Sequence, residues 1–327
     1  MNEPASPSRQ PAVRFALLAV VLVLAALVLP PVSAGATRSG SPASAGLSSR
    51  PFASDSAWNS YIPARPALDP NSARWVGYLS QGQKAQSALL DETGVPIYYA
   101  DASTPRQRVT CTRSYGRCPT EAVPLPPHVR PASGADGALV VIDLGARRHY
   151  DFWQLRWVEG QWVCSWCDSG SLDSDGRDSL TVGAGVSRLA GVVRTEEIRK
   201  GRIDHALVFA SSVTAPAFRY PARKSDGANL SGVALPLPAG ARIQLDPALD
   251  VDRIPGITPA EKTVARALQR FGAYNVDNGG YRSMGFSFET PLDGSDPYRS
   301  AGLPYDYAGM PHIPWDRLRV LHQWDGQ

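Results

Sequence analysis

Short runs of alternating apolar and polar residues, separated by turns rich in Gly and Pro, make up most of the chain beyond residue 50. Runs of this length and pattern are typical of β-strands. We predict strands over 95–100, 138–144, 149–157, 161–165, 203–209, 241–245, 273–276 and 284–288. Helical patterns do not alternate with these strands, as a parallel α/β sheet would require. The pattern therefore predicts a mainly β fold, a β-sandwich or jelly-roll-like single domain with two or three added helices.

Three stretches carry the signals of a helix. Residues 258–261, Thr-Pro-Ala-Glu, supply an N-cap, a first-turn proline and a capping box for a helix that Gly272 ends. A short polar helix is predicted over 195–200 and stops at Gly201, because glycine tolerates the left-handed conformation at a helix C-terminus. A third helix is predicted over 72–83.

An apolar run near the N-terminus has the features of an export signal. Positive residues precede the fifteen apolar residues 15–29, and small residues over 32–36 fit a cleavage site. A membrane-spanning helix needs about 20 apolar residues, so we expect cleavage and no stable membrane anchor. We predict a signal peptide over 1–36, a flexible linker over 37–50 and a single secreted β-rich domain over 51–327.

The charge of the chain excludes one class of partner. Its formal net charge is only +3, and Lys and Arg are scattered along it. Nucleic-acid binding requires a clustered basic surface, so we expect no nucleic-acid partner.

The chain has four cysteines, and in an exported protein an even number favours disulfides. Cys111 and Cys118 enclose a short polar loop that closes easily, so we predict a disulfide between them. Cys164 and Cys167 would point to opposite faces of an extended strand, and a bond between them would need a turn. A zinc site that uses all four cysteines is the alternative. A redox role for Cys164 and Cys167 is disfavoured, because no thioredoxin-like pattern surrounds them.

Asp204 and His205 lie side by side in the otherwise apolar run 203–209. Buried ionisable groups need partners. These two residues are therefore either hydrogen-bonded groups of the protein core or part of a functional site. In a strand they would face opposite sides, and each would need its own partner. His205 is therefore a candidate proton-transfer residue, and a hydrogen-bonded core histidine is the alternative.

The run 149–157 alternates between two predicted faces. One face contains Tyr150, Phe152, Gln154 and Arg156, and the other contains Asp151, Trp153, Leu155 and Trp157. The first face combines aromatic rings with hydrogen-bonding groups. This suits a sugar, because its C–H surface stacks on rings while its hydroxyls need polar partners. A sheet with one core face and one solvated face explains the pattern equally well.

Two further stretches contain candidate carboxylates. Residues 277–280, Asp-Asn-Gly-Gly, follow a predicted strand, and Asn-Gly is common in hairpin turns. The alternative is that Asp277 is a catalytic acid, with Glu289, Glu197 or Asp151 as the second carboxylate. The polar loop after Cys167 contains four acids, Asp168, Asp173, Asp175 and Asp178. Clustered oxygens suit calcium, but the loop lacks the terminal Glu of an EF-hand, and a solvated acidic loop is the alternative.

Several short motifs resemble those of a group of secreted bacterial proteins. They are Trp58-Asn59, Ile97-Tyr98-Tyr99, Tyr150–Gln154, Arg202–Leu207, Gln244-Leu245-Asp246, Phe271–Tyr274, Asp277-Asn278-Gly279 and Met310–Trp315. The resemblance covers nearly all of 51–327. In that group the turn before the first meander strand often reads Asp-Gly-His, but here it is Asp136-Gly137-Ala138 and offers no ligand or base. The organisation is similar to that of extracellular carbohydrate-active β-sandwich proteins, which implies a role on polysaccharides.

These observations predict a secreted protein that acts on a polysaccharide or cell-wall glycan, as a lyase or a glycoside hydrolase. On a uronate-rich polymer, His205 or Tyr150 would take the C5 proton in a β-elimination, with Asn278 or an arginine at the carboxylate. On a neutral polymer, Asp277 and a second carboxylate would hydrolyse the glycosidic bond. A non-catalytic carbohydrate-binding or cell-surface protein is the alternative. The candidate catalytic residues are His205, Tyr150, Asp277 and Asp151, and the candidate substrate-binding residues are Trp153, Gln154, Arg156, Asn278 and His312. No metal ligand and no cofactor are predicted, with calcium left open.

Overall fold

The computed structural model describes Leu47 and residues 50–81, 86–118, 122–279 and 284–323. The predicted signal peptide lies outside these residues, and of the predicted linker only Leu47 and Arg50 are described. The described residues all belong to one compact unit, Ala43–Gln327. In this part of the chain, no helix is both long and apolar enough to cross a bilayer.

The helices begin and end close to where the sequence signals lie. They are α1 (Ser72–Leu79), α2 (Thr195–Lys200), α3 (Pro259–Arg270) and α4 (Pro297–Ser300), with 3-10 turns at Val251–Arg253 and Trp315–Arg317. At the start of α3, the Thr258 hydroxyl accepts the Glu261 N–H at 3.3 Å, and the Glu261 carboxylate accepts the Thr258 N–H at 2.9 Å. This confirms the predicted capping box. Gly201 ends α2 with a φ of 66°, as predicted.

The strands are short and numerous. In chain order they are β1 (Gln86–Leu89), β2 (Val95–Ala100), β3 (Arg106–Gln107), β4 (Val109–Cys111), β5 (Val123–Pro124), β6 (Leu139–Asp143), β7 (Arg148–Trp153), β8 (Arg156–Val158), β9 (Gln161–Cys164), β10 (Trp166–Ser171), β11 (Leu207–Ala210), β12 (Thr214–Phe218), β13 (Leu237–Ala239), β14 (Arg242–Leu245), β15 (Ala273–Asp277), β16 (Met284–Ser287), β17 (Glu289–Thr290), β18 (Ala308–Gly309) and β19 (Leu318–Val320). The predicted mainly β fold with a few helices is confirmed.

Two large mixed sheets organise these strands. The seven-stranded sheet has the order β18-β1-β16-β11-β15-β14-β19, and the five-stranded sheet has the order β10-β7-β6-β2-β17. The pairs β1 with β16, β11 with β15, and β2 with β6 are parallel. Parallel partners need a long crossover, and the chain between β11 and β15 includes α3.

The two sheets share a core, and each also buries its other face. Val208 of the seven-stranded sheet and Val140 of the five-stranded sheet belong to the cluster between them. Phe209, one residue after Val208, points the other way and packs in one cluster with Leu268 of α3. A third cluster on the outer side of the five-stranded sheet includes Cys164. Strands buried on both faces explain why β11 is apolar at consecutive positions.

The run 149–157 does not form one strand. β7 ends at Trp153, and Gln154 has a φ of 56°, in the left-handed region, so the chain bends before β8 begins at Arg156. β7 then belongs to the five-stranded sheet, whereas β8 pairs with β9 in a separate three-stranded sheet. The prediction that Arg156 shares a face with Tyr150 is therefore wrong, because a residue with positive φ interrupts the two-residue alternation.

Two other local predictions are also changed by tertiary structure. β11 lies between β15 and β16, so the chain after Asp277 does not connect two adjacent strands, as the predicted hairpin turn would require. β11 begins only at Leu207, so His205 lies before the strand and the face assigned to it from strand alternation does not apply.

The cysteine-rich segment contains one disulfide. Cys111 and Cys118 are bonded, with their Cα atoms 6.4 Å apart, which confirms the predicted pair. Cys164 and Cys167 are buried free thiols in the described structure.

Candidate active site

Residues from both large sheets, and from the loops beside them, line a cavity of about 770 Å³. Val208 and Val276 supply part of an apolar lining from neighbouring strands of the seven-stranded sheet. Charged and aromatic side chains enter the same cavity. An apolar cavity of this size with a few converging polar groups is the usual form of a ligand or active site.

Asp277 and Asp226 form a carboxyl pair in this cavity. Asp277 is the last residue of β15, where it pairs with Ala210, and Asp226 belongs to the loop between β12 and β13. The two side chains are hydrogen-bonded to each other. Burial raises the pKa of Asp277 well above its ordinary range, and the charge and hydrogen bond of Asp226 raise it further, whereas Arg188 opposes the shift. Asp277 therefore keeps its proton at neutral pH, because burial and a neighbouring carboxyl group both oppose its ionisation.

Hydrogen bonds hold the loop that carries Asp226 at the residues just before and just after this aspartate. The Ser225 hydroxyl donates to the Ala215 carbonyl at 2.6 Å and accepts the Gly227 N–H at 3.0 Å. The Asp226 carboxylate lies against Gly183, where the Oδ1 atom would be only 2.3 Å from an added β-carbon. Asp226 can therefore occupy this position only because residue 183 has no side chain.

Two cationic side chains line the same cavity. Arg188 Nη2 donates to the Thr181 carbonyl at 3.2 Å. Burial lowers the pKa of Lys224, while the two carboxyl groups act in the opposite direction. The Lys224 ammonium lies 5.6 Å from the centroid of the Tyr115 ring. The cavity can therefore bind an anionic group and also supplies an amine that loses its proton more readily than usual.

Indole rings form another part of the lining. Trp153 of β7 and Trp166 of β10 are register partners, and Trp153 Nε1 donates to Asp136 Oδ1 at 3.1 Å. Within the described structure, four buried polar atoms of lining residues have no hydrogen-bond partner: Thr93 Oγ1, Trp166 Nε1, Arg188 Nε and Asn278 Oδ1. Buried polar atoms are normally paired, so these atoms can bind a polar ligand.

Five of the predicted site residues lie at this cavity or beside it. Asp277, Asn278 and Trp153 line the main cavity. Gln154 and Arg156 line a neighbouring depression of about 390 Å³, and Ala135 lines both. Gln154 Nε2 donates to the Ala135 carbonyl at 3.0 Å. The structure therefore brings these five residues to one region of the surface.

Asp151 lies behind the cavity. Its side chain is completely buried, and its Oδ1 atom is 3.0 Å from His149 Nδ1. Its Oδ2 atom accepts the Ser187 hydroxyl at 3.0 Å and the Arg188 N–H at 2.9 Å. Asp178 lies on the far side of the imidazole, 3.8 Å from Nε2. Asp151 therefore positions the loop that carries Arg188. Its buried side chain has no exposed atom that a substrate could contact.

The structure does not bring His205 to the cavity. Asp277 pairs with the last residue of β11, whereas His205 precedes the first, so the strand separates them. His205 Nε2 is 3.1 Å from the Glu197 carboxylate, and Nδ1 is 3.0 Å from the carbonyl of the following residue. Burial would raise the pKa of Glu197, but His205 and Arg194 lower it to about 2. These contacts are those of a hydrogen-bonded core histidine.

Tyr150 and His312 also lie outside the cavity lining. Tyr150 is buried in the cluster around the cysteines, where it interacts electrostatically with the Arg106 guanidinium. His312 Nδ1 is 2.8 Å from the Glu261 carboxylate at the start of α3. Both side chains are therefore engaged in contacts within the fold.

Replacing His205 by Gln tests its role in the core. We expect His205→Gln to lower the free energy of unfolding by ~1–3 kcal/mol, because the buried Glu197 carboxylate loses one partner but keeps Arg194. Denaturant unfolding at pH 7 measures this change. The exposed His322→Gln is the matched control and should have no measurable effect. An unchanged unfolding midpoint for His205→Gln would show that the imidazole is not a core hydrogen-bonding group.

The four acids proposed for calcium have separate partners. Asp173 Oδ2 accepts Arg147 Nε at 2.7 Å, and Asp175 Oδ2 is 3.5 Å from Arg177 Nη1. Asp168 accepts backbone N–H groups, and Asp178 faces His149. In the described part of the chain, these acids do not converge on one point that could hold a cation.

The sequence reasoning missed four charged residues of the cavity, Asp136, Arg188, Lys224 and Asp226. All four lie outside the strands, where periodicity gives no information. The one local signal is the polar turn Lys-Ser-Asp-Gly at 224–227, which stands out in a loop rich in Pro and Ala. A turn of this composition is common on protein surfaces, so it does not identify a site by itself.

No protein-family model, curated protein or solved structure matches the chain.

Proposed function

We propose that this protein is a secreted enzyme that cleaves an extracellular polysaccharide or cell-wall glycan in the cavity around Asp277. The observation that carries this proposal is the hydrogen-bonded carboxyl pair of Asp277 and Asp226 beside Trp153. Carboxyl pairs with separated pKa values supply an acid and a base at neutral pH. The indole ring offers an apolar surface for a sugar ring.

Hydrolysis is the reaction that the carboxyl pair favours. Asp277, as the protonated partner, donates its proton to the glycosidic oxygen as the bond to the anomeric carbon breaks. The Asp226 carboxylate takes a proton from the water that attacks that carbon. The two carboxyls are closer than the ~5–9.5 Å of most glycosidases, so the substrate must enter between them and replace their mutual hydrogen bond.

Elimination on a uronate polymer is the second candidate, and the cations of the cavity favour it. Arg188 would bind the uronate carboxylate, which makes the C5 proton more acidic. Lys224, whose pKa is lowered by burial, would take this proton as a neutral amine. Asp277 would return a proton to the leaving oxygen. This reaction yields an unsaturated uronate, whereas hydrolysis does not.

The neighbouring depression supports a polymeric substrate. Gln154 and Arg156 lie there, next to the main cavity and with Ala135 common to both. A second sugar unit bound at this depression would align the chain across the carboxyl pair. A non-catalytic glycan-binding protein would use the same surfaces and is the outcome to expect if no bond is cleaved.

The experiment is a screen of the mature chain against neutral and uronate-containing polysaccharides. New reducing ends without ultraviolet absorbance indicate hydrolysis, and reducing ends with absorbance from unsaturated uronates indicate elimination. A peptide mixture is included because aspartic proteases also use a proton-sharing carboxyl pair. The proposal fails if no glycan is cleaved, or if cleavage persists in both Asp277→Asn and Asp226→Asn.

A further inference from the structure

The sulfurs of all four cysteines lie in one cluster on the outer side of the five-stranded sheet. Cys111 Sγ is 3.6 Å from Cys164 Sγ and 3.5 Å from Cys167 Sγ. Cys118 Sγ is 3.7 Å from Cys167 Sγ. The parallel pairing of β4 with β9 makes Cys111 and Cys164 register partners, and the chain turns after Cys164 so that Cys167 reaches the same point.

These distances are close to those between the ligands of a tetrahedral zinc ion. Zn–S bonds of ~2.3 Å place the four sulfurs about 3.8 Å apart. Among the described residues, the only group of three or more His, Cys, Asp or Glu side chains whose ligand atoms come together contains Cys111, Cys164 and Cys167. The two-residue spacing between Cys164 and Cys167 is also common in structural zinc sites.

We propose that the four cysteines bind Zn²⁺ as a tetrathiolate when the Cys111–Cys118 disulfide is reduced. A thiol reductant supplies the two electrons and two protons that convert this disulfide into two thiols, and is itself oxidised to a disulfide. The four thiols then release their protons as the thiolates bind the metal. Arg113 and Arg117, within the 111–118 loop, place positive charge near the anionic site.

The same cluster is connected to the wall of the cavity. Tyr115 lies between Cys111 and Cys118 in the chain, and Trp166 lies between Cys164 and Cys167. The two rings are in contact, with centroids 5.8 Å apart, and both line the cavity. A metal held by the four sulfurs would tie together the two segments that carry these rings. The proposal does not depend on the proposed enzymatic activity, because metal content is measured without a substrate.

The test uses the full chain, reduced with a dithiol in the presence of Zn²⁺ and then freed of unbound metal. We expect about one zinc ion per chain by mass spectrometry, and Co²⁺ in place of zinc should give thiolate charge-transfer bands and the visible bands of a tetrahedral ion. Cys164→Ser and Cys167→Ser should weaken zinc binding at least tenfold. Ser114→Ala, an exposed position in the 111–118 loop, is the control and should bind as the unchanged chain does.

Alkylation of the unchanged chain keeps the test independent of how well the variants fold. Bound zinc should protect all four thiols from alkylation in the reduced chain, and a chelator should expose them. Close-packed thiols without a metal would react equally with and without the chelator. That result, or a reduced chain that remains free of zinc, would overturn the proposal. Undiminished zinc binding by both Cys→Ser variants would overturn it as well.

Discussion

Asp277→Asn should lower glycan cleavage by about 10²–10⁴-fold, the usual contribution of a general acid or base. The substitution keeps the shape of the side chain but removes the proton that Asp277 would donate. The activity of the unchanged protein should persist at pH 7 and fall on the alkaline side, because the raised pKa of Asp277 keeps its proton in place to higher pH. Initial rates of reducing-end formation between pH 5 and 10 measure both effects.

The same variant should cost little stability. The pKa of Asp277 is raised in the folded protein, so its contribution to stability is present below its ordinary pKa and is lost as pH rises through the raised value. Asn does not ionise, so the variant should become more stable than the unchanged protein as pH increases. Asp55→Asn, at an exposed site outside the cavity, is the matched control and should change neither rate nor stability. A variant that is inactive because it is unfolded would contradict this account.

Asp151→Asn should lower the free energy of unfolding by ~3–5 kcal/mol, since removing one partner of a buried ion pair leaves the other uncompensated. Burial opposes charge on both groups, but Asp151 and Asp178 raise the pKa of His149 to about 9. The contribution of His149 is therefore complete below its ordinary value of 6.5 and is lost as pH rises through 9. Burial would likewise raise the pKa of Asp151, but His149 holds it below its usual range. The contribution of Asp151 to stability is therefore lost only as pH falls below the ordinary range of an aspartate.

Denaturant unfolding of both proteins at several pH values measures this difference. The loss of stability in Asp151→Asn should be largest between about pH 4 and 6.5, where the contributions of both partners are complete, and should shrink as pH rises toward and past 9. Asp173→Asn removes one partner of an exposed pair with Arg147 and should leave the unfolding midpoint nearly unchanged, because solvent screens such pairs. Equal effects of the two substitutions would show that the buried ion pair contributes no more to stability than the exposed pair does.

Features with a local chemical signal could be predicted from the sequence. The capping box of α3 and the end of α2 at Gly201 depend on residues next to one another, so the residue types alone indicated them. The sequence also placed a break between the predicted strands 149–157 and 161–165, and Glu159 and Gly160 in that break have positive φ values of 48° and 84°. The disulfide between Cys111 and Cys118 closes a short loop and could be proposed for the same reason.

The arrangement of the site depends on contacts that are distant in sequence. Asp277 was a candidate because it ends a strand, but its partner Asp226 comes from a remote loop that only the packing of the sheets brings near. Gln154 has a positive φ although glutamine rarely adopts one. The residue type at this position therefore did not indicate that the strand ends there. His205 was assigned to a strand from its apolar neighbours, whereas its partner Glu197 lies on the preceding helix.

Gly183 has a consequence for how the acid strength of Asp277 is maintained. Two carboxyl groups repel each other once both are ionised, and a flexible loop would relieve this repulsion by moving apart. The backbone at residue 183 receives the Asp226 carboxylate in the space that a β-carbon would otherwise fill. Even alanine at this position would displace Asp226 and let the pKa of Asp277 return toward that of an ordinary aspartate. A single missing methyl group, on a residue with no chemistry of its own, thus maintains the part of the raised pKa of Asp277 that burial alone does not supply.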